Sequence, residues 1–66
     1  MKKYEYRSYF AECKKYVKLT PLCHECNVSQ SALSRFMMGE AYDYVISEDS
    51  LKRLYDHMHK VLEKIV

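Results

Sequence analysis

Residue type and spacing could do chemistry in two places: Cys23-His24-Glu25-Cys26, and the polar run Gln30, Ser31, Ser34 and Arg35. Two thiols three residues apart can share a zinc ion or cycle through a disulfide. A glutamine and an arginine near a helix start offer paired hydrogen-bonding groups instead. Gln matches the edge of adenine and Arg the edge of guanine in the major groove, each good pair giving about 1–3 kcal/mol of discrimination. The first is metal or redox chemistry; the second is readout of double-stranded DNA.

Which of the two applies depends on the elements that position these residues. LTPLCHECNVSQSALSRFMMG, residues 19 to 39, reads as two short helices joined by a tight turn. Thr20 is the expected N-cap of the first, because its hydroxyl can accept from an orphan backbone N–H. Pro21 follows at the first helical position, where a missing N–H costs nothing. Leu22, Cys23 and Cys26 fall on one face, with His24 and Glu25 pointing elsewhere. Asn27 ends the helix, since Asn tolerates the left-handed backbone that a sharp turn needs. Val28 is a buried pivot and Ser29 a second N-cap. The next helix should run from Gln30 to about Met38, with Leu33, Phe36 and Met37 as its apolar face and Gly39 as its stop.

These residues resemble the lambda-repressor and Cro family of phage and bacterial regulators. Cys23 stands where that family places a small residue early in the first helix of the pair, Val28 matches the turn hydrophobe, and Leu33 and Phe36 match the core positions of the recognition helix. The phrase VSQSALSRF is especially close to the family pattern, and Asn27 departs from it by replacing the usual turn glycine. The resemblance implies an all-α, four-helix, lambda-repressor-like helix-turn-helix domain over 1–66, with the motif at about 20–38 and a long C-terminal helix. It also implies that Gln30, Ser31 and Arg35 read bases, with Ser34 in support. Phosphate contacts are expected from Lys14, Lys15, Lys18 and Thr20 near one strand, from Ser29 and its neighbouring N–H groups, and from Tyr42 and Tyr44 after the recognition helix. For the two tyrosines, packing of their rings against the core or a partner chain is an equal alternative.

Composition sets wider bounds. Sixty-six residues make one domain at most, and a chain this short buries only about 60% of its unfolded surface. Support from a dimer interface, a ligand or DNA is therefore expected. Net charge is +2, which is weak evidence for nucleic acid, so distribution matters more than the total. Lys14, Lys15 and Lys18 cluster just before the motif, with Lys2, Lys3 and Arg7 upstream. No apolar run reaches the roughly 20 residues of a membrane span. Nor is Met1-Lys2-Lys3 followed by a secretory core, so a cytoplasmic location is expected, with the thiols reduced.

The flanking elements are helices as well. Tyr6, Tyr9, Phe10, Cys13, Tyr16 and Val17 share one helical face, which predicts a helix from about Tyr4 to Val17. Glu40 to Ile46 has no helical period and reads as a loop or a short extended piece. Ser47 should cap a last helix whose Glu48 and Asp49 favour the macrodipole. Leu51, Leu54, Tyr55, Met58, Val61, Leu62 and Ile65 form its apolar stripe. Met58, Val61, Leu62 and Ile65 extend past what so small a core can cover. A two-fold homodimer through them would place two recognition helices about one DNA turn apart, ~34 Å, for a palindromic operator. The alternative is a monomer whose helix packs back.

The metal reading is less persuasive. Cys13, His57 and His59 could complete a zinc site around the CxxC, but both of its cysteines fall on the inward helix face, where free Cys behaves as a small hydrophobe. His57 and His59, two residues apart, do not face each other on a helix. No triad, Gly-rich phosphate loop or paired carboxylates stand out, so neither catalysis nor a cofactor is expected, and no small-molecule ligand. The chain reads as a sequence-specific operator-binding regulator that represses by occluding polymerase. The rival is the same fold used as a protein-interaction module: an antirepressor, a phage inhibitor or an antitoxin.

Overall fold

The computed structural model describes residues 1–65, and side chains as far as Lys64. The chain is all-α: α1 (Lys3–Cys13), α2 (Leu19–Glu25), α3 (Gln30–Phe36) and α4 (Glu48–Ile65), with a 3₁₀ segment (Glu40–Val45) between α3 and α4. Among the described residues there is no strand.

α1 opens with the Glu5 carboxylate accepting the Lys2 N–H at 2.8 Å and buries Tyr6, Phe10 and Cys13. It stops four residues short of the expected Val17. The N–H groups of Lys15, Tyr16 and Val17 turn back onto the carbonyls of Glu12 and Cys13. Tyr16 is 72% exposed, so no buried face sustains another helical turn there.

α2 begins one residue before the expected cap. Lys18 is its N-cap and no side chain caps it, which puts Thr20 and Pro21 within the first turn. Proline is still tolerated there, because first-turn N–H groups have no helical partner. The helix ends as expected at Asn27, whose φ is 56°. The Val28 N–H bonds the Cys23 carbonyl at 2.8 Å and the Asn27 N–H bonds that of His24 at 3.2 Å. This paired closure is a Schellman motif, and burial of Val28 beside Cys23 completes it.

α3 is capped by Ser29, whose Oγ accepts the Ala32 N–H at 3.3 Å, and it buries Leu33 and Phe36. Beyond it Gly39 adopts φ 152°, a region L side chains rarely enter. Residues 40–45, expected as a loop or extended piece, wind instead into the 3₁₀ segment. Tyr42 and Val45 are half-buried while Ala41 and Tyr44 are exposed. That three-residue repeat is the 3₁₀ period, in which side chains at i and i+3 eclipse. α4 starts where Ser47 Oγ accepts the Ser50 N–H at 3.2 Å.

Among the described residues, all four helices feed one core of twelve buried side chains, with Phe10, Cys23, Phe36, Leu51, Leu54 and Met58 the most enclosed. α4 lies against both α1 and α2. Met58, expected to meet a second copy, is 0% exposed. Its place on the stripe points it into the chain's own core, so it offers no surface to a partner. Val61 and Leu62 are half-buried, and the side chain of Ile65 lies outside the described residues.

Two cations of α1 tie down the end of α3 and the 3₁₀ segment that follows it. Arg7 Nε donates to the Phe36 carbonyl at 2.8 Å, its Nη2 donates to the Gly39 carbonyl at 3.2 Å, and it is ion-paired with Asp43. Lys3 Nζ donates to the carbonyls of Asp43 at 2.7 Å and Ile46 at 3.0 Å. Arg7 thus adds a second donor to carbonyls that already accept the Gly39 and Tyr42 N–H groups, and Lys3 adds one to the carbonyls of Asp43 and Ile46.

Candidate nucleic-acid interface

The Schellman closure and the Ser29 cap fix where α3 begins, and burial of Leu33 and Phe36 fixes which way it is rotated. Its outward face is therefore Gln30, Ser31, Ser34 and Arg35, all exposed. A shallow cleft of about 180 Å³ opens between this face, the end of α1 and the start of α2. Lys14, Thr20, Gln30 and Ser34 supply its polar members, and Leu19, Leu33 and Met37 its apolar ones.

Across the cleft Gln30 Nε2 donates to Thr20 Oγ1 at 2.7 Å. The start of α2 thereby holds the first side chain of α3. The Gln30 carboxamide keeps its oxygen and a second N–H free for an outside partner. Thr20 has this role because it is not the helix cap; its hydroxyl is available to its neighbour. Nothing local in the sequence signals the pairing, which requires the two helix starts to be brought together.

The expected phosphate group divides. Lys14 and Lys18 are exposed, as is Lys15, which pairs with Glu12 at 3.1 Å. Ser29 is exposed, with its oxygen engaged by the Ala32 N–H. Tyr44 is 80% exposed and Tyr42 half-buried. Both tyrosines stand on the 3₁₀ segment past the end of α3, away from the Thr20 end. Lys3 and Arg7 are spent inside the fold, so the cations left beside the α3 face are few.

The CxxC pair serves packing. Cys23 is 1% exposed. Cys26 is half-buried, with its Sγ 3.8 Å from the Arg53 carbonyl. Burial pushes the thiol pKa of Cys23 up, helped by Cys26. Burial and the Glu25 charge push up that of Cys26, against Arg53. Burial also raises Cys13 against a hydrogen bond from Tyr9. Protonated thiols are poor nucleophiles and poor metal ligands. His57 is paired with Glu25 on α2, while His59 Nδ1 lies 3.5 Å from the Tyr9 hydroxyl, so the two imidazoles answer to different partners. Among the described residues no three His, Cys, Asp or Glu side chains form a group that could hold a metal, and no helix is long and apolar enough to cross a membrane.

No family model matches the chain, nor does any curated protein or solved structure.

Proposed function

We propose that this chain is a helix-turn-helix regulator of the lambda-repressor and Cro kind, which binds operator DNA in the cytoplasm and represses by occluding polymerase. α2 and α3 are the motif, and α3 is the recognition helix. The observation that carries the reading is the Thr20–Gln30 hydrogen bond at 2.7 Å. It holds a base-reading side chain at the exposed start of a capped helix, beside Lys14 and Ser34. A glutamine fixed on one side while keeping a free acceptor and donor is pre-organised for the edge of adenine. Arg35, one turn on, suits guanine. Lys14, Lys15 and Lys18 supply phosphate contacts that set the docking register.

A titration against DNA from the chain's own upstream region, with random DNA beside it at several salt concentrations, tests this. Specific binding at least ~10³-fold tighter than random supports it. With three lysines on phosphate, log K should fall with log salt at a slope of roughly −3 per chain. Equal, weak binding to both DNAs overturns it.

Three observations favour the rival, a protein-interaction module. Net charge is only +2, Lys3 and Arg7 are turned inward, and Met38 and Tyr44 stand 72% and 80% exposed. Under that reading Arg35→Ala leaves function intact unless the partner uses the same face.

A further inference from the structure

Residues 36–51 contain no Lys, Arg or His, and they contain four acids, Glu40, Asp43, Glu48 and Asp49. The same stretch carries two of the three most exposed large apolar side chains among the described residues, Met38 and Tyr44. Ala41 and Tyr44, three residues apart, share the outer row of the 3₁₀ segment. Asp43 is answered by Arg7. Glu40, Glu48 and Asp49 are exposed, and among the described residues none of them forms an ion pair. The cations that α1 brings here do not offset them. Lys3 and Arg7 reach backbone carbonyls, and Lys2 stands beside Glu5. None of Met38, Glu40, Ala41 and Tyr44 lines the cleft on the α3 face.

We infer that this surface docks a basic, apolar segment of a partner protein: a short amphipathic stretch that sets an aliphatic side chain against Met38 and Tyr44 and Lys or Arg side chains against Glu40 and the Tyr44 ring. The argument is charge complementarity around an apolar centre. Carboxylates and the face of a tyrosine ring both attract cations. A flexible thioether adapts to aliphatic neighbours. The same carboxylates turn DNA phosphate away, so the surface is separate from the reading face in charge as well as in place. It is also braced. Lys3 and Arg7 hold the carbonyls of Phe36, Gly39, Asp43 and Ile46, so a partner meets backbone that is already ordered.

This inference goes beyond operator binding and is tested without DNA, so the two fail separately. The isotope-labelled full chain is titrated by NMR with a synthetic amphipathic Leu/Lys helix, beside a Ser/Lys peptide of the same length and charge. Amide shifts should cluster at residues 38–49, with the Leu/Lys peptide bound at least tenfold tighter. Tyr44→Ser and Glu40→Lys should each weaken that binding at least tenfold and leave thermal melting unchanged, since both side chains are exposed. Equal binding of the two peptides overturns the inference, as do shifts spread over the chain or centred on α3. Binding that Tyr44→Ser leaves as tight as before also overturns it. Shifts at residues 38–49 that follow the concentration of the chain alone would give the surface to a second copy and overturn it too.

Discussion

The guanidinium of Arg7 lies 4.6 Å over the ring centroid of Phe36, while its Nε donates to the carbonyl of that same residue at 2.8 Å. One side chain of α1 thus grips both the ring that anchors α3 in the core and the carbonyl that ends it. The Arg7 side chain is only 15% exposed, so its hydrogen bonds form where water competes poorly. Arg7→Ala would take one donor from each of the Phe36 and Gly39 carbonyls, which keep the Gly39 and Tyr42 N–H groups, break the Asp43 ion pair and remove the cation–π contact. We expect a loss of about 2–4 kcal/mol, read as a drop in urea midpoint at unchanged m. Arg7→Lys should recover little, because an ammonium cannot reproduce the planar fork that reaches Phe36, Gly39 and Asp43 together.

Arg35→Ala tests the opposite kind of residue. Arg35 is exposed and, among the described residues, no side-chain hydrogen bond holds it, so melting should be unchanged. Operator affinity should fall by about 1–3 kcal/mol, with one base position relaxed. Equal affinity for the wild-type and variant proteins in a competition assay would remove Arg35 from the reading face.

Thr20→Val keeps the shape at the start of α2 and removes the acceptor for Gln30. Stability should hold to within about 0.5 kcal/mol, as for most surface changes. Affinity for the operator should drop, and Gln30→Ala on top of it should add less than Gln30→Ala alone, since the two act as a unit. Additive losses in that double-mutant cycle would mean that Thr20 does not position Gln30.

Asn27 carries φ 56°, and left-handed backbone costs an ordinary L-residue about 1–2 kcal/mol. Asn27→Gly should be neutral to slightly stabilising, and Asn27→Ala destabilising by about 1 kcal/mol, both read from thermal melts.

Alkaline pH should unfold the chain earlier than its charge alone suggests. Burial pushes Tyr9 up to about 12 from 10.0, with a hydrogen bond to Cys13 adding to it. Burial also raises Tyr6 and the three thiols. Each of these groups holds its proton more tightly folded than unfolded. Their contribution is therefore at its maximum below the ordinary thiol and phenol values. It declines as pH climbs from about 9 toward 12, because the unfolded chain then binds fewer protons. A pH series of urea midpoints should be flat near neutrality for these groups and fall through that window. A midpoint rising there would contradict the burial of these side chains.

What the residues disclosed on their own was local. Ser29 and Ser47 announced themselves as caps because a hydroxyl before a helix needs only its own next three residues to act. Asn27 marked the turn for the same reason, and Leu51, Leu54 and Met58 marked a face because helical period is a property of neighbours. Thr20 deceived, since a good capping residue beside a proline looks the same whether it caps or sits within the first turn. The 3₁₀ segment was hidden because six residues give too short a repeat to recognise. Lys3 and Arg7 looked like upstream surface charge, and only the fold shows them reaching residues 36 to 46. The outward row of α3 was legible because two caps and a buried face fix its rotation; that Gln30 is held by a neighbour was not.

The clamp made by Lys3 and Arg7 also governs the order in which this domain can come into being. Its hydrogen bonds close over 29 to 43 residues of chain. A nascent chain therefore carries α1 with its two cations unanswered until Ile46 has been made. Short contacts form α2, its turn and the start of α3 early, yet the end of α3 and the 3₁₀ segment gain their partners only after that long loop shuts. The first helix to be synthesised is thus among the last to be secured, and the domain should acquire its structure in one concerted step rather than from the N-terminus onward.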